Sequence, residues 1–256
     1  ALAAGAVDVV GALDVPAGSP AYAAALQRHL AVASRIPVIT HPRARLRDRS
    51  EAVGEATARD RPAVVAVGAS TGGPLALATI LGQLPPGLDA AVVVVQHMAE
   101  GFVEGLARWL DSVCPLRVVV AADGERLSAG TVYLAPSGRN LVLRSGHRLA
   151  VVPAPPGQFH LPGIDVTFTS VAEQCRAGAV GVLLTGMGRD GAAGLRALRE
   201  AGAFTIGQDE GTSVVWGMPA AAQALDAVDV ELALPDIAAA VAAAVGRARL
   251  VGRGAP

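Results

Sequence analysis

Short unbroken runs of apolar residues alternate along this chain with stretches of about ten residues whose apolar positions recur at helical spacing. AVVAVG, beginning at Ala63, ends in the Gly-rich turn ASTGGP and gives way to LALATILGQL. The pattern repeats as AAVVVVQ, FVEGLARWL and LRVVVAA. It returns later as AVGVLLTG, DGAAGLRALREAG and AFTIG, with a last helix predicted from Pro235 to Arg249. Runs without a polar face read as strands buried on both sides, and strands separated by helices call for right-handed crossovers. Between the two blocks, TVYLA and NLVLRSGHRLAVV read as β, and Ser145–Gly146 predicts a hairpin turn. A Pro/Gly-rich loop, PAPPGQFHLPG, leads to a helix predicted near Asp165 to Arg176, and the stretch after AFTIG reads as irregular. The predicted class is therefore α/β: a doubly wound, mostly parallel sheet with helices on both faces and a β-hairpin.

Ahead of this unit, assigned to residues 63–250, AVDVV and YAAALQRHLAVASR read as a strand and a flanking helix. These residues, 1–42, are too few to enclose a core. Residues 43–62 turn polar and Arg-rich and read as a linker. Hydrophobic residues make up 52% of the 256 and aromatics only 3%, so the core must be built from Ala, Val, Leu and Ile. The net charge is -1 and no basic stripe carries interleaved aromatics, which argues against nucleic acid. All 21 basic residues are Arg. Without Lys there is neither a Walker-type phosphate loop nor a Schiff-base amine. Cys114 and Cys175 are too few for a disulfide framework or a thiolate cage and read as small buried residues. The start lacks a basic leader, and no apolar run approaches the roughly 20 residues that span a bilayer. The expected setting is cytoplasmic, with no membrane insertion.

In doubly wound sheets chemistry gathers at the loops leaving the carboxyl ends of strands. The first such loop, GASTGG, holds Ser70; the second, QHM, holds His97; the third, TGMGRDG, holds Asp190. Taken singly, each has a plain structural reading. Ser70 can cap the next helix or belong to a phosphate-binding turn, His97 can be a strand-end histidine, and Asp190 can be an N-cap. Together they supply the residue types of nucleophile, general base and orienting acid. Their order, Ser, His, Asp, differs from that of α/β-hydrolases. Ser70, Asp123 and His160 would restore the hydrolase order, but His160 sits among prolines in an irregular loop.

VAVGASTGGPLAL, VVVQHM, GFVEGLARWLD, DGERLSAGTVYLAP, GIDVTFTSVAEQ and the long run from AVGVLLTGMGRDG to GMPAAA together resemble the catalytic domain of CheB-type protein-glutamate methylesterases. The resemblance covers residues 63 to about 232 in the family's order. It implies Ser70 as nucleophile, His97 as general base and Asp190 as acid, with backbone N–H groups at Thr71 and Met187 receiving the oxyanion. It implies hydrolysis of glutamyl γ-methyl esters on the cytoplasmic domain of methyl-accepting chemoreceptors, glutamine deamidation as a second activity, and no metal or organic cofactor. ALAAGAVDVVGALD resembles the end of a response-regulator receiver, which implies two-component signalling with a histidine kinase as partner. Gly11–Ala12 stands where receivers carry Lys-Pro, and the part bearing the phosphoacceptor is missing. A fragment, or a form without a working receiver, is therefore expected. The reading of another class is a non-catalytic phosphate- or receptor-binding module.

Overall fold

The central strands bury both faces, and their sequences are apolar on both for that reason. The computed structural model describes residues 62–158 and 160–252, together with Pro20, Ala23 and Gln27. Apart from those three and Pro62, the receiver-like segment and the linker lie outside the described residues. β1 (Ala63–Ala69) leads into α1 (Gly73–Gln83), β2 (Ala90–Gln96) into α2 (Val103–Val113), and β3 (Arg117–Val120) into β4 (Thr131–Leu134). β5 (Asn140–Arg144) and β6 (Arg148–Val152) form the antiparallel hairpin expected around Ser145–Gly146. There follow α3 (Ile164–Cys175), β7 (Ala179–Leu183), α4 (Ala192–Glu200) and β8 (Phe204–Gln208). α5 (Met218–Ala224), β9 (Val230–Leu232) and α6 (Leu234–Gly252) complete the unit.

The main sheet has seven strands in the order β3-β4-β2-β1-β7-β8-β9, and every pairing is parallel. Along β1 the pleat divides the core in two. Val65, Val67 and Ala69 join α1, α2 and α6 on one face, while Val64 and Ala66 join α3, α4, α5 and the hairpin on the other. α2 shows how a surface helix is recruited: Val103, Leu106, Ala107 and Leu110 form its buried stripe at helical spacing. Leu106 and Leu110 are fully buried, each stabilising by about 1.5–3 kcal/mol.

The chain first builds outward from β1 to the β3 edge, then returns across β1 to lay down β7, β8 and β9. The strand order therefore reverses between β1 and β7, and in doubly wound sheets the carboxyl ends of the strands at such a reversal are where ligands bind. α5 and β9 occupy part of the stretch that reads as irregular in the sequence. α5 has seven residues and carries Pro at its start, and β9 is a three-residue edge strand. Neither is long enough for a periodic signal. β9 is pinned instead by Asp229, whose carboxylate accepts bonds from the Thr205 N–H and from Arg199 Nε, both at 2.9 Å.

Candidate active site

β1 ends at Ala69, and Ser70 follows in a turn whose left-handed residue is Gly72 at φ 79°. A Cβ at Gly72 would lie 2.6 Å from Val214, so glycine is required for space as well as for backbone conformation. Ser70 itself has ordinary backbone geometry, unlike the strained elbow of α/β-hydrolases. α1 begins without a side-chain cap, so the Ser70 hydroxyl is not its N-cap. The Ser70 N–H donates to Thr185 O at 3.0 Å, and the Gly73 N–H donates to Ser70 O at 2.8 Å.

His97 is the first residue after β2, and its ring is held at one nitrogen. Nε2 lies 2.8 Å from Asp190 Oδ2, with side-chain exposures of 13% and 10%. Asp190 leaves the loop after β7 but reaches across to another helix. Its Oδ2 accepts the Ile164 N–H at 2.8 Å, and its Oδ1 accepts the Asp165 and Gly191 N–H groups at 3.0 Å. Ile164 and Asp165 open α3, so the carboxylate sits on the positive end of that helix. Burial pushes the Asp190 carboxyl up. The bond to His97 and the N–H groups of Ile164 and Asp165 outweigh that, leaving it below the usual carboxylate range. Neighbouring Asp165 is shifted the other way, mainly by burial and also by the Asp190 charge. An ionised carboxylate is acceptor-only, so His97 Nε2 is the donor and Nδ1 is the nitrogen left to accept.

The structure thus joins His97 to Asp190 directly and sets Ser70 at the adjoining strand end. No hydrogen bond links Ser70 Oγ to the ring among the described residues. In unliganded sites such contacts are often long and tighten with substrate. Asp123, from the hydrolase-order set, accepts the Val151 N–H at 2.9 Å on the hairpin and makes no bond to His160. Met187 is 40% exposed on the loop after β7. The backbone N–H groups of Thr71 and Met187 donate to no other described residue. Trp216 is half-buried and donates its indole N–H to Gln208 O at 3.2 Å.

Three residues that hold this rim together escape a reading of spacing. Gln96, 4% exposed, donates through Nε2 to both Ser70 O and His97 O at 2.9 Å. Thr185 accepts the Val215 N–H and donates to Thr71 O, each at 2.9 Å. Gln208 accepts the Thr185 N–H at 2.9 Å. Each is a polar residue at the end of an apolar strand, which is the one signal the sequence carries for them. Gly186 is also tightly packed: a Cβ there would sit 2.7 Å from Ser70 Cβ and against Met218. Among the described residues no cluster of three His, Cys, Asp or Glu is arranged to hold a metal. No described helix is long and apolar enough to cross a membrane. The Cys114 and Cys175 thiols are pushed up to about 12, mainly by burial.

Fold and rim define a class: a doubly wound α/β protein, outside the α/β-hydrolase order, with hydroxyl, imidazole and carboxylate at neighbouring strand ends. Within that class, the chain belongs to the CheB methylesterase family, whose model matches residues 65–241. A protein-glutamate methylesterase/protein-glutamine glutaminase of Cupriavidus metallidurans is 54% identical over 177 residues, 69% of this chain and 52% of the relative. One from Anaeromyxobacter dehalogenans is 45% identical over 238 residues, 93% of this chain and 68% of the relative. The chain thus spans about half the length of the first of these relatives. The crystal structure of the Thermotoga maritima CheB methylesterase catalytic domain superposes with a TM-score of 0.67 at 34% identity. It covers 71% of this chain and 98% of that one.

Proposed function

We propose that this chain is a serine esterase that hydrolyses glutamyl γ-methyl esters on the cytoplasmic domain of chemoreceptors, and that it also deamidates glutamine at such sites. The relatives' names motivate the substrate. The observation that carries the chemistry is the 2.8 Å contact between His97 Nε2 and a helix-anchored Asp190, one strand away from an uncommitted Ser70 hydroxyl. Ser70 Oγ attacks the ester carbonyl and gives its proton to His97 Nδ1. Asp190 fixes the tautomer and stabilises the imidazolium. The roles of the two ring nitrogens are thereby reversed from those of chymotrypsin-type triads. The Thr71 and Met187 N–H groups receive the oxyanion, one such donor being worth about 2.7–4 kcal/mol. Methanol departs with the proton from His97, and water then releases the glutamyl group by the same route. An amide substrate gives ammonia in place of methanol.

A phosphate-binding turn is disfavoured because the Ser70 and Gly73 N–H groups are spent on Thr185 O and Ser70 O. The receiver-like reading of residues 1–42, and with it a histidine kinase partner, rests on the resemblance of that segment alone. Ser70→Ala tests the central assignment. Methanol release from a methylated receptor fragment should vanish, and retained release would reject it.

A further inference from the structure

The loop that reads as irregular in the sequence lays a second imidazole on the first. His160 stacks face to face on His97, with ring centroids 4.8 Å apart and planes 10° from parallel. The loop is fastened at that point. Asn140, 1% exposed, exchanges two side-chain bonds with Gln158 at 2.7 and 2.9 Å, and Gln158 Nε2 also donates to His160 O at 2.6 Å. Asn140 Oδ1 further accepts the Gly163 N–H at 2.9 Å, and Gly163 is the N-cap of the α3 helix that anchors Asp190. One buried side chain on β5 therefore fixes both the plate above His97 and the helix end behind its carboxylate partner.

We infer that His160 is a positioning residue for the base. This rests on the triad reading above. A ring held by its Cβ–Cγ bond and a hydrogen bond at one nitrogen can still rock, and the rocking carries Nδ1 off the line to Ser70 Oγ. The stacked face removes that freedom and offers a π surface to the imidazolium formed when the serine proton arrives. The role needs the flat face of residue 160, not its nitrogens, and this separates it from acid–base or substrate-binding work. His160 is exposed, so replacing it leaves the core untouched.

The test compares His160→Ala, His160→Phe and His97→Ala in methanol release from a methylated receptor fragment, with melting temperatures alongside. His160→Ala should lower kcat about 3- to 10-fold at unchanged KM and melting temperature, the range expected from losing one aromatic stack. His160→Phe should restore kcat. Unaltered kcat in His160→Ala, a loss confined to KM, or a Phe variant as slow as the Ala variant would each overturn the inference. Full activity in His97→Ala would instead reject the triad reading beneath it, so the two failures are distinguishable.

Discussion

Replacing Asp190 by Asn exchanges one carboxylate oxygen for an NH2 group while keeping the side chain's shape. Four donors converge on the carboxylate: the Ile164 N–H and His97 Nε2 at Oδ2, and the Asp165 and Gly191 N–H groups at Oδ1. An amide has one oxygen, so in either orientation two donors face an NH2. If the oxygen takes the Oδ1 place, His97 Nε2 must become an acceptor. Its proton then moves to Nδ1, the nitrogen that the proposed mechanism requires to accept from Ser70. A wrong tautomer of this kind costs a serine triad about 10⁴ in kcat. Bonds to charged groups are worth about 1.5–3 kcal/mol each, so losing two, with some relaxation, destabilises by about 3 kcal/mol. At this domain size that is about 6–12 °C in melting temperature.

The sign of the pH dependence follows from the lowered Asp190 carboxyl. Its contribution is complete above the ordinary Asp value of about 3.9 and fades as pH falls through the lower folded value. Methanol release and thermal melts of the two proteins, at neutral pH and in acid, check all three expectations. A variant with wild-type kcat, or a stability gap that widens in acid, would refute the reasoning.

Gln96→Leu removes both bonds that tie the Ser70 and His97 carbonyls; Ser70 O keeps the Gly73 N–H, while His97 O loses its side-chain donor. Stability should fall by about 1–3 kcal/mol and kcat should drop further than KM changes, as measured by melts and steady-state rates. Gly186→Ala drives a methyl against Ser70 and Met218. Overpacking costs about 1–3 kcal/mol, and with Ser70 displaced the proposed mechanism predicts a loss of activity larger than the loss of stability. Cys114 and Cys175, with thiols held near 12, should resist iodoacetamide at neutral pH, with activity unchanged. Mass spectrometry of the treated native protein checks this.

The strands buried on two faces, the hairpin at Ser145–Gly146 and the amphipathic helices were legible because burial imposes a period on the sequence. The last helix, predicted from Pro235 to Arg249, runs from Leu234 to Gly252. α5 and β9 were not legible because Met218–Ala224 and Val230–Leu232 are too short for a period to emerge. At the rim, Ser70, His97 and Asp190 could be picked out because each follows an apolar run. Asp190 could be read as a cap, but the helix it caps starts 26 residues upstream, at Ile164, and chain spacing carries no trace of that. The same limit hid Gln96 as a clamp and made His160 look like a rival to His97 when it is stacked on it. Contacts between side chains of distant loops depend on how the sheet is wound, which the pattern along the chain does not record.

The most direct measurement is to treat the folded protein with a fluorophosphonate and map the adduct by peptide mass spectrometry, in the native chain and in His97→Ala. A hydroxyl activated by its neighbouring imidazole predicts one phosphonyl adduct, on Ser70, that disappears when the imidazole is removed. An adduct on another serine, or labelling of Ser70 at the same rate without His97, would contradict it.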